Sequence, residues 1–416
     1  MLRLGNLKAH VVEFIALQLA TSLLYLAAVW AAERFPTRGR GFLALIFVAG
    51  MAFRATLFPL YPSLSDDLLR YRWEARAQAA GVNPYVIRPD APEAQFLRDE
   101  TWPAVNGKEF TTAYGPLTEL VLRAAWMIAE RGDGVWSVLL MKLPALAFDL
   151  GCAVLLAILL ARLRIPVSRV MIYYWCPVTI VEFAASGHND SIAVFFLLAA
   201  LVLAECSRPP MALAALAASA LAKVFAVFLA PVLMVREWRC FTSRAGRALL
   251  WPVALTAVVA WPFRSNIPRF TLALAIGSGH WRNNDSLFGI VAGVTGSLSA
   301  ASGIYMAAVA GTSAILAWRR VPLTRAAFIL LGVILAGAAN CFPWYLTWIL
   351  PLLAIFPNPA WLLLTALSTL AYQVLIGYGT LGIWRDSDFL RALEYVPFYA
   401  LLMGTYFVNR MRTAKK

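Results

Sequence analysis

Residues 136–161 read WSVLLMKLPALAFDLGCAVLLAILLA, and the run closes on Arg162, Arg164 and Arg169. It is longer than the roughly 20 residues a helix needs to cross a bilayer, and only Lys142 and Asp149 interrupt it with charge. Similar runs, complete or nearly so, occupy 11–33, 42–61, 170–187, 191–205, 248–263, 302–318, 325–340, 344–357, 360–378 and 396–410. The whole chain of 416 residues is 61% hydrophobic and 14% charged, whereas soluble domains are about 45–50% apolar and about 25% charged, so lipid must cover the excess. The expectation is one all-α, polytopic transmembrane helical bundle over 1–416, with about 11–14 membrane helices and no room for a soluble catalytic domain.

The formal charge of +14 belongs to the same picture. Lys and Arg collect on the cytoplasmic side of membrane proteins, so the excess needs no nucleic-acid partner. By that rule Arg34, Arg38 and Arg40; Arg162, Arg164 and Arg169; Arg236, Arg239, Arg244 and Arg247; Arg319, Arg320 and Arg325; and Arg410, Arg412, Lys415 and Lys416 lie inside. The parity works only if the short run 116–130, broken by Glu119 and Arg123, does not cross, or if the Arg162 cluster lies outside despite its charge. The first apolar run lacks a small-residue cleavage site and reads as a retained helix. The five cysteines stand singly, without metal-ligand or disulfide spacing. Lys223, in the middle of 211–235, is costly in a single span and predicts two half-length helices meeting at that residue.

The polar residues gather on the other side. The loop 62–115 is too long for a passive connection. It opens on Ser65-Asp66-Asp67-Leu68-Leu69-Arg70-Tyr71-Arg72-Trp73-Glu74, followed by Asn83 and Tyr85. Helical spacing puts Asp66 and Asp67 beside Arg70, Asp67 beside Tyr71, and Arg70 beside Glu74. An ionised carboxylate held by Arg and Tyr suits a general base, although the same pattern fits an interfacial helix with Ser65 as N-cap and solvated ion pairs. The turn Ser186-Gly187-His188-Asn189-Asp190-Ser191, the intramembrane Lys223, and His280-Trp281-Arg282-Asn283-Asn284-Asp285-Ser286 add cations and amides on that side. Trp344 and Tyr345 fit either an aromatic belt or a substrate platform. Arg54, Lys142 and Asp149, inside spans, either pair structurally or line a cavity. Neither a Walker loop nor a dinucleotide-binding fingerprint is present.

The run SDDLLRYRWEARAQAAGVNPYVIRPD from Ser65, Trp102-Pro103, Thr111-Thr112-Ala113-Tyr114-Gly115-Pro116-Leu117, Glu182 ahead of GHND, the Lys223 segment and WYLTWILPL from Trp344 resemble the bacterial GT-C glycosyltransferases. Within that class the likeness is to glycosyltransferase family 87 and the polyprenyl-phosphate-mannose-dependent mannosyltransferases, in order over most of the chain. Two departures are Glu74-Ala75 where many relatives have Asp-Gly, and Tyr-Gly-Pro in place of Tyr-Pro-Pro. The resemblance implies a multi-pass protein of the bacterial inner membrane with its site on the periplasmic face. The large periplasmic loop would carry the catalytic motif on interfacial helices. The implied reaction is inverting transfer of a hexose, mannose by the family likeness, from a polyprenyl-phosphate donor to a lipid or glycan acceptor. Asp67 and Asp66 are then the catalytic candidates. Arg70, Tyr71, Glu74, Asn83, Tyr85, Tyr114, His188, Asn189, Asp190, Lys223, Arg282, Trp344 and Tyr345 are the substrate-binding ones. No cofactor is expected, and a divalent metal at the acidic pair stays open. The rival reading is a transporter or flippase of lipid-linked sugars, whose repeated halves and midplane sites the sequence lacks.

Overall fold

Backbone amides in lipid have no water to bond, so an apolar run of crossing length satisfies them internally as helix. The structure is a computed structural model and describes residues 1–35, 39–242, 249–266 and 282–414. Among these residues every regular element is helical, and the only strand-like pairing is an isolated bridge between Asn283 and Asn340. Arg38, Arg244, Arg247, Lys415 and Lys416, assigned above to basic loops, and His280 and Trp281 lie outside the described residues.

Five described helices are long and apolar enough to cross a membrane: Val11–Arg34, Arg40–Leu57, Val135–Arg162, Leu298–Trp318 and Pro359–Gly379. Shorter apolar helices, among them Pro177–Ser186, Val224–Arg236 and Leu323–Gly337, take up other runs. The first helix, α1 (Val11–Arg34), is turned inside out relative to a soluble helix. Its buried side carries Gln18, Ser22 and Tyr25, and its exposed side carries Leu17, Leu23 and Leu24. Lipid is the solvent that makes this arrangement stable.

The bundle has two distinct ends. At one, Leu7 N–H donates to Ser63 Oγ at 2.9 Å, which brings the start of α1 beside the chain leaving α2 (Arg40–Leu57). At the other, Arg169 makes a two-pronged ion pair with Glu33. The first will be called the loop end and the second the basic end. Helix α3 (Asp67–Ala79) opens the long loop, and α4 (Pro116–Ala129) closes it. Leu122, Ala125 and Ala129 of α4 pack in one cluster with Leu68, Leu69 and Trp73 of α3 and with Val138 and Met141. Helix α4 therefore stays with the loop layer, and α5 (Leu143–Arg162) runs from Lys142 at the loop end to the basic end. The 116–130 run, whose crossing the sequence left open, thus begins and ends at the loop end of the bundle.

Helices α6 (Asp190–Glu205) and α7 (Pro209–Ala222) pack together, with Ala193, Ala200, Ala212, Ala218 and Ala222 buried along them and Ser219 Oγ–H donating to Ala193 O at 2.7 Å. Small residues and interhelical hydrogen bonds are how helices associate where lipid removes the hydrophobic driving force. The chain breaks after α7, with Lys223 extended (φ −146°, ψ 132°), and resumes at Val224. The intramembrane charges of α2 and α5 are all engaged. Arg54 pairs with Asp149 and donates to Tyr174 O at 2.7 Å, and Tyr173 O–H donates to Asp149 at 2.8 Å. Lys142 Nζ donates to the carbonyls of Phe58, Leu60 and Ala184, tying the chain before Asp67 to the chain before His188.

Candidate active site

Asp67 stands at the first turn of α3, where a carboxylate complements the exposed N–H groups and the helix dipole. Its side chain is 24% exposed. Oδ1 accepts from Asn106 Nδ2 at 2.6 Å, and Oδ2 lies 3.7 Å from His188 Nε2. Asp66 precedes it at the N-cap position and is 3.9 Å from Lys8 Nζ. Burial pushes the Asp66 carboxyl above its usual range, the Lys8 charge opposes this, and the neighbouring Asp67 adds to it. The two acids are thus inequivalent, and Asp67 is the one that faces His188.

The expected grip of Arg70 on these acids is not what forms. Arg70 Nε donates to Glu74 Oε1 at 2.7 Å, and its other nitrogens donate to the carbonyls of Asn106, Gly107 and Phe110. Spacing put Arg70, Asp66 and Asp67 on neighbouring turns correctly, but the rotamer follows the loop that packs over α3. Ser65 Oγ accepts from Asp67 N at 3.2 Å.

The segment before the GHND turn widens into a π-helical turn over Val181–Ser186, and Gly187 closes it in the left-handed region (φ 76°). The extra residue in that turn brings Glu182 under His188: His188 N–H donates to Glu182 O at 2.9 Å, and Nδ1 lies 2.9 Å from Oε2. That side-chain contact is a close charge–charge approach, and among the described residues both ring nitrogens and Glu182 Oε2 are buried without a hydrogen-bond partner that meets full geometry. Glu182 Oε1 accepts from Tyr372 O–H at 2.7 Å. The His188 ring stacks on Trp344 at 4.3 Å, and Trp344 stacks on Phe342 at 4.7 Å. Burial lowers the imidazole pKa, but Glu182, Asp67 and Asp190 together raise it above the usual value. Glu182, buried within an apolar run, is quoted in the sequence motif yet has no role assigned from it. Tyr372 and Asn106 carry no signal beyond residue type.

Asp190 opens α6, and its Oδ1 accepts from Lys223 Nζ and Trp348 Nε1, both at 2.6 Å. Lys223 keeps 19% of its side chain exposed and lies over the Tyr345 ring at 5.3 Å. Among the described residues, the amide atoms of Asn189 and Asp190 Oδ2 are buried without a hydrogen-bond partner, in a class of group that is nearly always bonded in folded proteins. Tyr71 spans the two acids: its hydroxyl meets the backbone of Asn189 and is pushed well above its usual pKa by burial, then by Tyr114, Asp67 and Asp190. The rings of Tyr71 and Tyr114 meet edge-on at 4.9 Å.

The remaining candidates divide in two. Asn83 Oδ1 accepts from Tyr85 N, and Tyr85 O–H donates to Tyr114 O at 2.6 Å, so both shape the loop behind Tyr114. Arg282 sits in a second polar cluster, where it and Arg391 share Asp285. That cluster joins the first through Asn283, which bridges Asn340 and accepts from Trp384 Nε1, while Trp384 lies 5.9 Å from the Phe342 ring. Among the described residues no group of three or more His, Cys, Asp or Glu side chains is arranged to hold a metal ion.

Asp67, His188, Asp190 and Lys223 thus converge from the first loop, the GHND turn and the helix break. Residues 3–239, which contain all four, match the family model described as alpha-(1->6)-mannopyranosyltransferase, N-terminal domain. No curated protein and no solved structure matches the chain. With more than half its length matched, and with the helices of a membrane protein, the chain belongs to the alpha-(1->6)-mannopyranosyltransferase family.

Proposed function

We propose that the protein is an inverting mannosyltransferase of GT-C type that takes mannose from a polyprenyl-phosphate donor at the periplasmic face of the bacterial inner membrane. The observation that carries the reading is the partly exposed Asp67 carboxylate, held on one oxygen by Asn106 and facing His188 with the other. An acceptor hydroxyl attacks the anomeric carbon, Asp67 takes its proton, and the carbon–oxygen bond to phosphate breaks with its electron pair staying on the polyprenyl phosphate. One displacement inverts the centre, so the α-(1→6) linkage in the family's description calls for a β-configured donor. Lys223 is proposed to receive the growing charge on the phosphate, since among the described residues Asp190 is the one hydrogen-bond acceptor that draws on it and a fifth of its side chain is open. Phosphate is already a good leaving group, and the scheme uses no resident cofactor; chelation by EDTA is expected to leave the rate unchanged. The unpaired atoms of Asn189 and Asp190 are proposed to bind sugar hydroxyls, with Trp344 and Tyr345 as stacking surfaces. The bilayer supplies the donor, and a lipid or glycan receives the sugar.

The test is transfer of labelled mannose from synthetic polyprenyl-phosphate mannose by purified protein. Asp67→Asn is expected to lower kcat by roughly 10²–10⁴-fold, the usual contribution of a general base, and Asp66→Asn by much less. A folded Asp67→Asn enzyme that transfers at the normal rate would remove Asp67 from the mechanism.

A further inference from the structure

Asp67 is only as good a base as its orientation, and nothing on its own helix holds it. The donor that does, Asn106, comes from 39 residues further along the chain, in a stretch that belongs to no helix. Something must therefore hold Asn106. Its backbone carbonyl accepts from Arg70 Nη1 at 3.3 Å, the next carbonyl, Gly107, accepts from the same nitrogen at 2.6 Å, and Phe110 O accepts from Nη2 at 3.0 Å. Arg70 is 4% exposed and fixed from behind by Glu74, which is fully buried. A planar guanidinium spreads a rigid fork of donors, so Arg70 reaches these three carbonyls from Nη1 and Nη2 while Nε holds Glu74, a spread that the single nitrogen of a lysine does not reproduce. Gly107 stands at φ 52°, a left-handed conformation that turns its carbonyl toward Arg70 and that residues with a Cβ resist. The far side of the loop is fastened as well: Thr112 Oγ–H donates to Glu119 Oε1 at 2.7 Å, and Gln78 Nε2 donates to Oε2 at 2.6 Å.

We infer that Arg70 and Asn106 form a positioning pair for the base: Arg70 fixes the backbone at 106–110, and the Asn106 amide fixes the rotation of the Asp67 carboxylate so that Oδ2 is presented to the acceptor hydroxyl. Arg70, one turn from Asp67, acts through the loop and has no contact with the sugar phosphate. This rests on the reading of Asp67 as the base. A carboxylate that is free to rotate reaches the reactive geometry less often, and misplacement by about 1 Å costs roughly 100-fold in rate.

The experiment is a double-mutant cycle on the full-length enzyme in detergent, with Asn106→Ala, Arg70→Lys and the pair, each checked for folding by thermal melt, and with Asp67→Asn beside them. Asn106→Ala removes a half-buried amide and leaves the backbone bonds to Arg70 in place. It is expected to lower kcat by about 100-fold while leaving KM for donor and acceptor unchanged. Arg70→Lys is expected to do the same, and the double variant to be no worse than either single one, because both changes break one path. Additive losses in the double variant would show that Arg70 acts independently of Asn106 and overturn the pairing. If Asn106→Ala keeps the normal kcat while Asp67→Asn is inactive, the positioning proposal fails and the base assignment stands. If Asp67→Asn is itself active, the base assignment fails and takes the pair with it. Should Arg70→Lys not fold, the Asn106→Ala arm still decides the matter.

Discussion

His188 lies between two carboxylates, 2.9 Å from Glu182 and 3.7 Å from Asp67, with an indole against its face. Its pKa in the fold is raised, so the folded state binds the proton more tightly than the unfolded chain does. The stabilisation is complete below the ordinary histidine pKa of about 6.5 and is lost as pH rises through the folded value. The melting temperature of the wild type, relative to His188→Gln, is therefore expected to be higher in mildly acidic buffer and to lose that advantage on going alkaline; a pH-independent difference would refute the charged form. Lys223 offers a second test at this level. Removing it by Lys223→Met leaves Asp190 as a buried, uncompensated charge, expected to cost about 3–5 kcal/mol, whereas Lys223→Met with Asp190→Asn should recover much of that in a thermal melt. The Tyr-Gly-Pro departure also has a local reason. A Cβ at Gly115 would collide with the carbonyl oxygens of Leu221 and Ala222, where α4 begins against the end of α7. Gly115→Pro is expected to destabilise by about 1–3 kcal/mol for that overlap, although Pro suits the φ of −69° found there.

Among the elements, α3 shows best what could be read from the chain alone. Its acidic start and the Arg70–Glu74 pair four residues apart follow from helical spacing. The partners outside the helix do not, since they depend on how the loop returns over it. Arg72 and Arg76 meet on Asp99, which also accepts from Thr101 Oγ1. Burial raises the Asp99 pKa, but the bonds from Arg72 and Thr101 and the charges of Arg72 and Arg76 outweigh it, so the folded value is depressed. That contribution is present above the ordinary Asp pKa of about 3.9 and is lost as pH falls through the folded value. Asp99→Asn at neutral pH is expected to loosen the stretch around 97–105 and speed its cleavage by added protease, with α1 and α2 unaffected. Equal protection in the variant and the wild type would show that the arginines do not anchor the loop. The break at Lys223 was legible in advance, because a lone lysine in a span carries a cost that a helix end relieves. The π-helical turn before His188 was not, since residue order alone does not show where an extra residue enters a helical turn.

For the molecule as a whole, the two ends of the bundle make a topological prediction. In a chain without its native cysteines, single cysteines at exposed Glu109 and at exposed Arg164 are expected to react with an impermeant label from opposite sides of intact cells or spheroplasts, Glu109 from outside. Labelling of both from one side would place the site elsewhere. Composition and the positions of the apolar runs were enough to indicate a membrane protein and to predict a basic side opposite the long loop, because partition between lipid and water acts on local stretches of 20 or so residues. The candidate acids, the GHND turn and the lysine could likewise be named, because an ionisable residue in so apolar a chain stands out. Their partnerships could not. Asp67 is held by a residue 39 positions away, Asp190 by one 158 away and Glu182 by one 190 away. A hydrogen bond acts over about 3 Å and is blind to sequence distance, so which acid is oriented, which is paired and which faces open space follows from the packing of the helices.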